Sequence, residues 1–354
     1  MSYVPPHKRP ENAAVRAASV PPSLLTKHNR NLGSIKNTKK IYADDYISKW
    51  FLVGSQENNN YRLVVPASSD PVEWRKGAEE KPLLILVMTS DFKKLETPWL
   101  CVAEKVENDL ILGFGRAKKT LLRYGSEDVN LRLIARFGKV VFNGVESIRD
   151  VPLTKSKLEK QKKYFNTNVS KSYVENIVYG VVPKMGLCVE ETKELYHVKA
   201  ELNALRHLIL DVSCLDQDLD LRLGVDSKNT ITKNLSENEM NNLKELTDSA
   251  VLDPNVKGGL RWPLGKSSCA DRYSVCGVWH TVTTTYRSST LRLQVREADR
   301  YDVRTGIGRS TREVSLKLNA LRKLLKEEEV EKGCVSDMLK DCLRAVCEYF
   351  LKAK

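Results

Sequence analysis

DRYSVCGVWHTVTTTYR (271–287) and TLRLQVREADRYDVR (290–304) decide the fold of this chain. In the second segment Leu291, Leu293 and Val295 alternate with Arg292, Gln294 and Arg296. That period of two marks a half-buried strand with one apolar and one charged face. The first segment is rich in Val, Thr, Trp and Tyr, residues that suit a pleated surface. Ser288-Ser289 between them predicts a tight reversal, so the two form a long antiparallel pair. Seven arginines, Arg287, Arg292, Arg296, Arg300, Arg304, Arg309 and Arg312, gather here around Tyr286 and Tyr301. Guanidinium forks suit phosphate and aromatic faces. Glu297, Asp299, Asp302 and Glu313 sit among them, so cross-strand ion pairing is the first account of these charges. If Arg292 and Arg296 share one strand face, nucleic-acid backbone binding follows. Charged strands lining a barrel that handles polyphosphate are the enzymatic alternative.

Toward the C-terminus, Ser310-x-x-Glu313 reads as a capping box opening a helix with Val314, Leu318, Leu321 and Leu325 on one stripe. A last helix is predicted from Ser336 to about Leu351. Toward the N-terminus, KGGLRWPLGKSS (257–268) is a Gly/Pro-rich loop. It fails as a Walker loop: Leu260 stands where the first glycine belongs, and Pro263 has no N–H for a phosphate. Arg261 and Lys266 remain a candidate surface anion site. Ser236-x-x-Glu239 is another capping box, ahead of Met240, Leu243, Leu246 and Ala250. Strands are predicted at 187–190, 194–200 and 205–212. Ser172 is expected to cap a helix with Tyr173, Ile177 and Val181 on one face, ended by Pro183. LTKSKLEKQKKYF (153–165) reads as a Lys-rich, solvent-facing stretch.

The first half is richer in strands: 49–55, 61–66, 82–88 and 98–103, with a helix over 104–123. NLRLIARFGKVVFNG (130–144) reads as a hairpin turning at Phe137-Gly138. These elements predict an α+β fold, a mixed or antiparallel sheet with packed helices. A β-rich part (41–150) and an α+β part (151–354) follow, forming two units or one continuous domain.

Residues 1–40 differ from all of this. They hold eight Lys or Arg, Lys8, Arg9, Arg16, Lys27, Arg30, Lys36, Lys39 and Lys40, against one acid, Glu11, a net of +7 within a chain total of +13. Pro5-Pro6 and Pro21-Pro22 interrupt them. Such a segment buries too little to offset its ordering entropy and is expected to be a disordered basic arm. It has no apolar core of a secretory signal, and the proline pairs oppose the amphipathic helix of an organellar presequence. The expected location is the cytoplasm or nucleus, with organellar import as the alternative. The longest apolar run, Leu83 to Met88, has strand length, so no membrane association is expected.

The eight cysteines are dispersed without a C-x-x-C pair, and none is expected to hold metal. Cys342 and Cys347 fall on the apolar pattern of the last helix and read as core. His280 stands on a strand with no readable nucleophile or base partner. His197 and His207 lie on different elements, and the acidic run Asp211 to Asp220 lacks EF-hand spacing. No catalytic residue, metal or cofactor is assigned.

The opening Met1-Ser2-Tyr3-Val4-Pro5-Pro6-His7-Lys8-Arg9, with KIYADDYISKWFLVG, LIARFGKVVFNG, VVPKMGLCVEE, SAVLDPNVKGGLRWPLGK, DRYSVCGVWHT and READRYDVRTGIG, resembles an uncharacterised plant protein family carrying a domain of unknown function. The resemblance runs nearly the full chain and implies no activity. Its relatives are longer where this chain passes from Tyr196-His197-Val198-Lys199 to Glu201-Leu202-Asn203. Tyr3 to Arg9 also resembles an N-terminal element of some DEAD-box RNA helicases, with Lys8 in place of an apolar anchor. Tyr3, Val4, Pro5, Pro6 and His7 therefore form a candidate docking peptide, pre-extended by its prolines.

The sequence thus points to a non-enzymatic binding protein associated with RNA or ribonucleoprotein. Lys8, Arg9, Arg16, Lys39 and Lys40 would act in the arm, and Arg292 and Arg296 on an Arg/Tyr strand surface. A protein-interaction scaffold docking through Tyr3 to Arg9 and a phosphate-handling enzyme are the two alternatives.

Overall fold

In this computed structural model the described residues are 42–53, 72–74, 83–88, 98–124, 130–142, 163–200, 204–214, 217–228, 236–248, 251–252, 260–261, 275–302, 307–327 and 331–352. The basic arm, its docking peptide Tyr3–His7 and Lys266 lie outside them, as does the strand expected at 61–66. The strands are β1 (Tyr42–Val53), β2 (Val72–Trp74), β3 (Leu83–Met88), β4 (Asn130–Phe142), β5 (Lys163–Asn166), β6 (Cys188–Ala200), β7 (Ala204–Cys214) and β8 (Asp220–Lys228). After them come β9 (Val251–Leu252), β10 (Leu260–Arg261), β11 (Val275–Arg287), β12 (Arg292–Asp302) and β13 (Ile307–Lys317). The helices are α1 (Pro98–Tyr124), α2 (Lys171–Asn176, prolonged by a π-helical turn to Val181 and by Val182–Lys184), α3 (Glu237–Asp248), α4 (Asn319–Lys326) and α5 (Lys332–Ala345, with a π-helical turn to Phe350).

The main sheet runs β2-β3-β1-β7-β8-β4-β13-β12-β11-β6, with β5 also paired to β4. Strand β1 lies parallel to β3 and β7, and the remaining pairs are antiparallel. The expected α+β class with a mixed sheet is the observed one. The decisive pair is present as β11 and β12, with Ser288 N–H donating to the Leu291 carbonyl at the reversal.

This sheet cannot be flat. Strand β6 ends at Ala200 and β7 starts at Ala204, a reach of at most about 14 Å. In the strand order they stand six steps apart, about 29 Å across a flat sheet. Only a strongly curled sheet brings those two ends within reach of so short a link.

One face of the sheet is apolar and carries the helices. Leu131, Leu133, Ala135 and Phe137 of β4 join Leu221, Leu223 and Val225 of β8 and Leu208, Leu210 and Val212 of β7 in a single core. Helix α1 adds Val102, Ala103, Val106, Leu110, Phe114 and Ala117, a stripe at helical spacing. Phe137 stacks on Phe350 with ring centres 4.9 Å apart, and the Tyr173 hydroxyl donates to the Phe350 carbonyl at 2.7 Å. Helix α2 thereby locks to the end of α5. Burial drives the Tyr173 hydroxyl pKa far above its ordinary value, so it acts as a donor. Cys347 is buried, and burial pushes the Cys342 thiol up to about 11, in keeping with cysteines that pack and do not react.

Several local expectations are corrected. PWLCVA (98–103) is the first turn and a half of α1: Pro98 takes the first helical position, where its missing N–H is harmless. The 130–144 hairpin is the single strand β4. Gly138 is there for space, since a Cβ on it would come within 2.0 Å of the Asn166 carbonyl oxygen of β5. The strands at 187–190 and 194–200 are one, β6. Ser170, not Ser172, caps α2 by accepting from the Tyr173 N–H. That helix passes Pro183 and stops at Gly186, whose φ of 60° no branched side chain tolerates well. Its Tyr173, Ile177 and Val181 are buried, as expected. Ser310 and Glu313 cap nothing: both lie in β13, where buried Val314 and Leu316 stand two apart and Leu318 follows just past its end, and the helix starts only at Asn319. The Ser236–Glu239 box is present, with Glu239 Oε2 accepting from the Ser236 N–H at 2.8 Å.

Candidate functional site

The opposite face of the same strands is polar. Strand alternation that sends Leu131, Leu133, Ala135 and Phe137 into the core sends Arg132 and Arg136 the other way. By the same rule β12 presents Arg292, Gln294 and Arg296, β13 presents Glu313, Ser315 and Lys317, and β8 presents Arg222 and Asp226. The registers place them side by side: Arg292 pairs with Lys317, Arg296 with Glu313, Ser315 with Arg136, and Arg136 with Arg222.

Two kinds of ion pair order this face. Arg222 grips Asp211 with both ends of its fork, at 2.6 and 2.9 Å, and lies 4.5 Å over the Phe165 ring. Asp211 is 1% exposed, so that pair is a structural strut. The second kind is looser. Asp226 accepts from Arg136 at 2.9 Å and stands 3.8 Å from Arg132. Arg292 reaches across β11 to Glu190 and Glu191 of β6, at 2.6 and 3.0 Å. Arg296 is 3.6 Å from Glu313, which also accepts from the Thr167 hydroxyl.

Five cations, Arg132, Arg136, Arg292, Arg296 and Lys317, thus meet four carboxylates. Lys317 faces Arg292 and Ile134, not a carboxylate, across its two neighbouring strands, and among the described residues the enclosed Nε of Arg132 meets no acceptor. Burial first, then the nearby Arg292, Arg132 and Arg296, lower the Lys317 pKa to about 8 against the opposing pull of Glu191. Burial likewise lowers that of Arg132; Asp226 opposes the shift, and Arg136 and Arg296 add to it. Arg296 is two strands from Arg132, and Glu191 is three from Lys317. Arg292 likewise spans β11 to reach Glu190 and Glu191 of β6, the close approach expected where a curled sheet turns this face inward. The arrangement is a half-buried, cation-rich concavity, suited to an anion that several guanidinium forks can share.

Of the residues singled out from sequence, Arg292 and Arg296 are brought together here. Arg261 lies in β10, which sits against β11, β12 and β13. Tyr286 and Tyr301 are buried and face the core, so the strand surface is an arginine surface without tyrosine stacking. Arg312 pairs with Glu297, and Arg300 lies over Trp279. His280 Nε2 is 2.6 Å from Glu194 on β6. His207 is buried against the Ser227 hydroxyl at 2.9 Å, far from acting as a ligand, and burial lowers its pKa. Among the described residues no group of acids, cysteines and histidines could hold a metal ion, and no helix is long and apolar enough to cross a membrane.

Arg132, Arg136 and Lys317 were missed in the sequence reading. The signal was available for the first two: Arg132 and Arg136 repeat the four-residue spacing of Arg292 and Arg296 on an alternating strand. Splitting that strand at Gly138 and placing β13 on a helix concealed the match.

An α+β chain with one charged, inward-turned sheet face is the class these features define. The chain belongs to the family described as a domain of unknown function (DUF7903), whose profile matches residues 34–200 and 198–350. The two matched segments meet where β6 hands over to β7. No curated protein matches the sequence. Two solved structures are similar in outline: the S. pombe Pct1 RNA triphosphatase in complex with the Spt5 CTD, and the same enzyme alone. The first has a TM-score of 0.44 and 10% identity over 75% of this chain and 97% of that one. The second has a TM-score of 0.44 and 9% identity over 75% and 98%.

Proposed function

We propose that the protein binds phosphate-rich polyanions, RNA foremost, and holds phosphate groups in the cationic concavity of its sheet. The observation that carries this reading is the convergence of Arg132, Arg136, Arg292, Arg296 and Lys317 on one half-buried surface with too few carboxylates to neutralise them. The basic residues of 1–40, among them Lys8, Arg9, Arg16, Lys39 and Lys40, add attraction that ignores sequence, and a cytoplasmic or nuclear location fits such a ligand. Each neutralised phosphate releases counterions, so binding is salt-dependent. Binding of a mixed-sequence single-stranded RNA, followed from low to moderate salt, tests the reading. Deleting residues 1–40 flattens the plot of log affinity against log salt, and Arg292→Met with Arg296→Met flattens it further. Slopes unchanged by both would reject it.

A second reading, a phosphate-handling enzyme, is favoured by one feature: carboxylates Asp226, Glu191 and Glu313 are interleaved with the cations inside a concavity instead of on a flat face. Release of inorganic phosphate from tripolyphosphate, lost in the Arg292→Met variant, would support it. The Tyr3–His7 peptide as a docking element for a protein partner is separable: Tyr3→Ala with Pro5→Ala abolishes such docking and leaves phosphate binding intact.

A further inference from the structure

The concavity is uneven, and the unevenness bears on which phosphate it takes. Arg136 is neutralised by Asp226, Arg296 by Glu313, and Arg292 by two glutamates. The least compensated charges are Lys317, which faces Arg292 and Ile134 across its two neighbouring strands, and Arg132, whose enclosed Nε meets no acceptor and whose other end stands 3.8 Å from an Asp226 that Arg136 engages more closely. Resting on the phosphate-binding reading above, we propose that this spot recognises a terminal phosphate, a doubly charged monoester or oligophosphate end, in preference to the internal diesters of a nucleic-acid chain.

The argument is one of charge density. An internal diester carries a single charge, which one ion-paired arginine at the rim satisfies. A terminal phosphate brings close to two charges and three acceptor oxygens to one point. Lys317 can donate to one oxygen and the partly exposed guanidinium of Arg132 to another. Of the charged groups bearing on Lys317, Arg292 and Arg296 from β12 and Arg132 from β4 repel its proton, and Glu191 from β6 opposes them. Glu313, on its own strand, is engaged by Arg296 and Thr167. A second negative charge placed there relieves the repulsion and holds the lysine protonated, so binding takes up a proton in mildly alkaline buffer. The shared chemistry is the phosphate end, whether on RNA or on a free oligophosphate.

The test compares one short RNA in two forms, 5′-phosphate and 5′-hydroxyl, with inorganic tripolyphosphate as a third probe, using the full chain. The 5′-phosphate form is expected to bind about 10- to 100-fold tighter, the range of a charge-assisted hydrogen-bond pair. Lys317→Met removes that advantage, weakening the 5′-phosphate form by more than the 5′-hydroxyl form, so that the two bind alike. Lys317→Arg restores the advantage but abolishes the proton uptake that calorimetry in buffers of different ionisation enthalpy detects at pH 8.5. Tripolyphosphate competes with the 5′-phosphate form if the free end is what is read. Equal affinity for the two RNAs in the unmodified protein, or an advantage that survives Lys317→Met, overturns the proposal while the phosphate-binding reading stands. Failure of all three probes to bind overturns that reading itself.

Discussion

The two faces of one sheet obey opposite rules. On the helix-bearing face, Phe137, Leu133, Leu221 and Leu293 are fully enclosed, and the enclosed residues are overwhelmingly apolar, with the Lys49–Asp109 pair between β1 and α1 as an exception. One residue along the same strands, Arg132, Arg136, Arg292 and Arg296 are held at intermediate exposure against one another. The first face is the cheapest way to hold the fold together, because burial there costs little desolvation of charge. The second face is expensive: two of its basic groups sit where burial lowers their pKa. A structure that needed only stability would replace such charges with apolar residues of similar volume. Their concentration on one surface is what supports the proposal that this surface binds a ligand.

The comparison can be broken most forcefully on the apolar side. Phe137→Ala removes the ring stacked on Phe350 and opens a cavity beneath α5; a loss of about 3–5 kcal/mol in urea denaturation is expected. A loss below about 1 kcal/mol would mean that the Phe137–Phe350 contact does not anchor the helices. On the polar side, the Asp211–Arg222 strut should behave differently from the rest. Arg222→Met strands a carboxylate that is 1% exposed and is expected to cost about 3 kcal/mol. Adding Asp211→Leu should recover much of that loss, since removing both partners leaves no unpaired charge.

A smaller effect separates structural from functional charge. The unfolded chain keeps its Lys317 proton to near 10.5, whereas the folded chain gives it up near 8. Between those values the unfolded state binds more protons, so rising pH favours the folded one. Lys317→Met is therefore expected to melt higher than the unmodified protein at pH 7, with the gap closing between pH 8 and 10. A gap that stays constant would place Lys317 in water.

Much of this was legible in the sequence, and the failures share a cause. The β11–β12 pair was readable because the run from Val278 to Asp302 is long and free of glycine and proline. The capping box at Ser236 was readable because its chemistry is local. Strand β4 was misread at Gly138, where the need for glycine comes from the Asn166 backbone crossing from β5, a contact no local pattern reports. Strand β13 was misread because Val314 and Leu318 fit periods of two and of nearly four alike, and only Leu316 decides between them. The site was half visible. Arg292 and Arg296 stood out as a pair, but their convergence with Arg132 and Lys317 depends on the curl of the sheet. That curl follows from strand order together with the short link from Ala200 to Ala204, which sequence does not display.

The central claim is that the polar face turns inward, so that residues on separated strands act on one ligand. A double-mutant cycle on tripolyphosphate affinity, using Arg132→Met and Arg296→Met, tests it directly. The inward-turned face predicts that the two losses fail to add, with a coupling of about 0.5 kcal/mol or more. Losses that add within about 0.3 kcal/mol would show two independent sites on an open sheet and contradict the account.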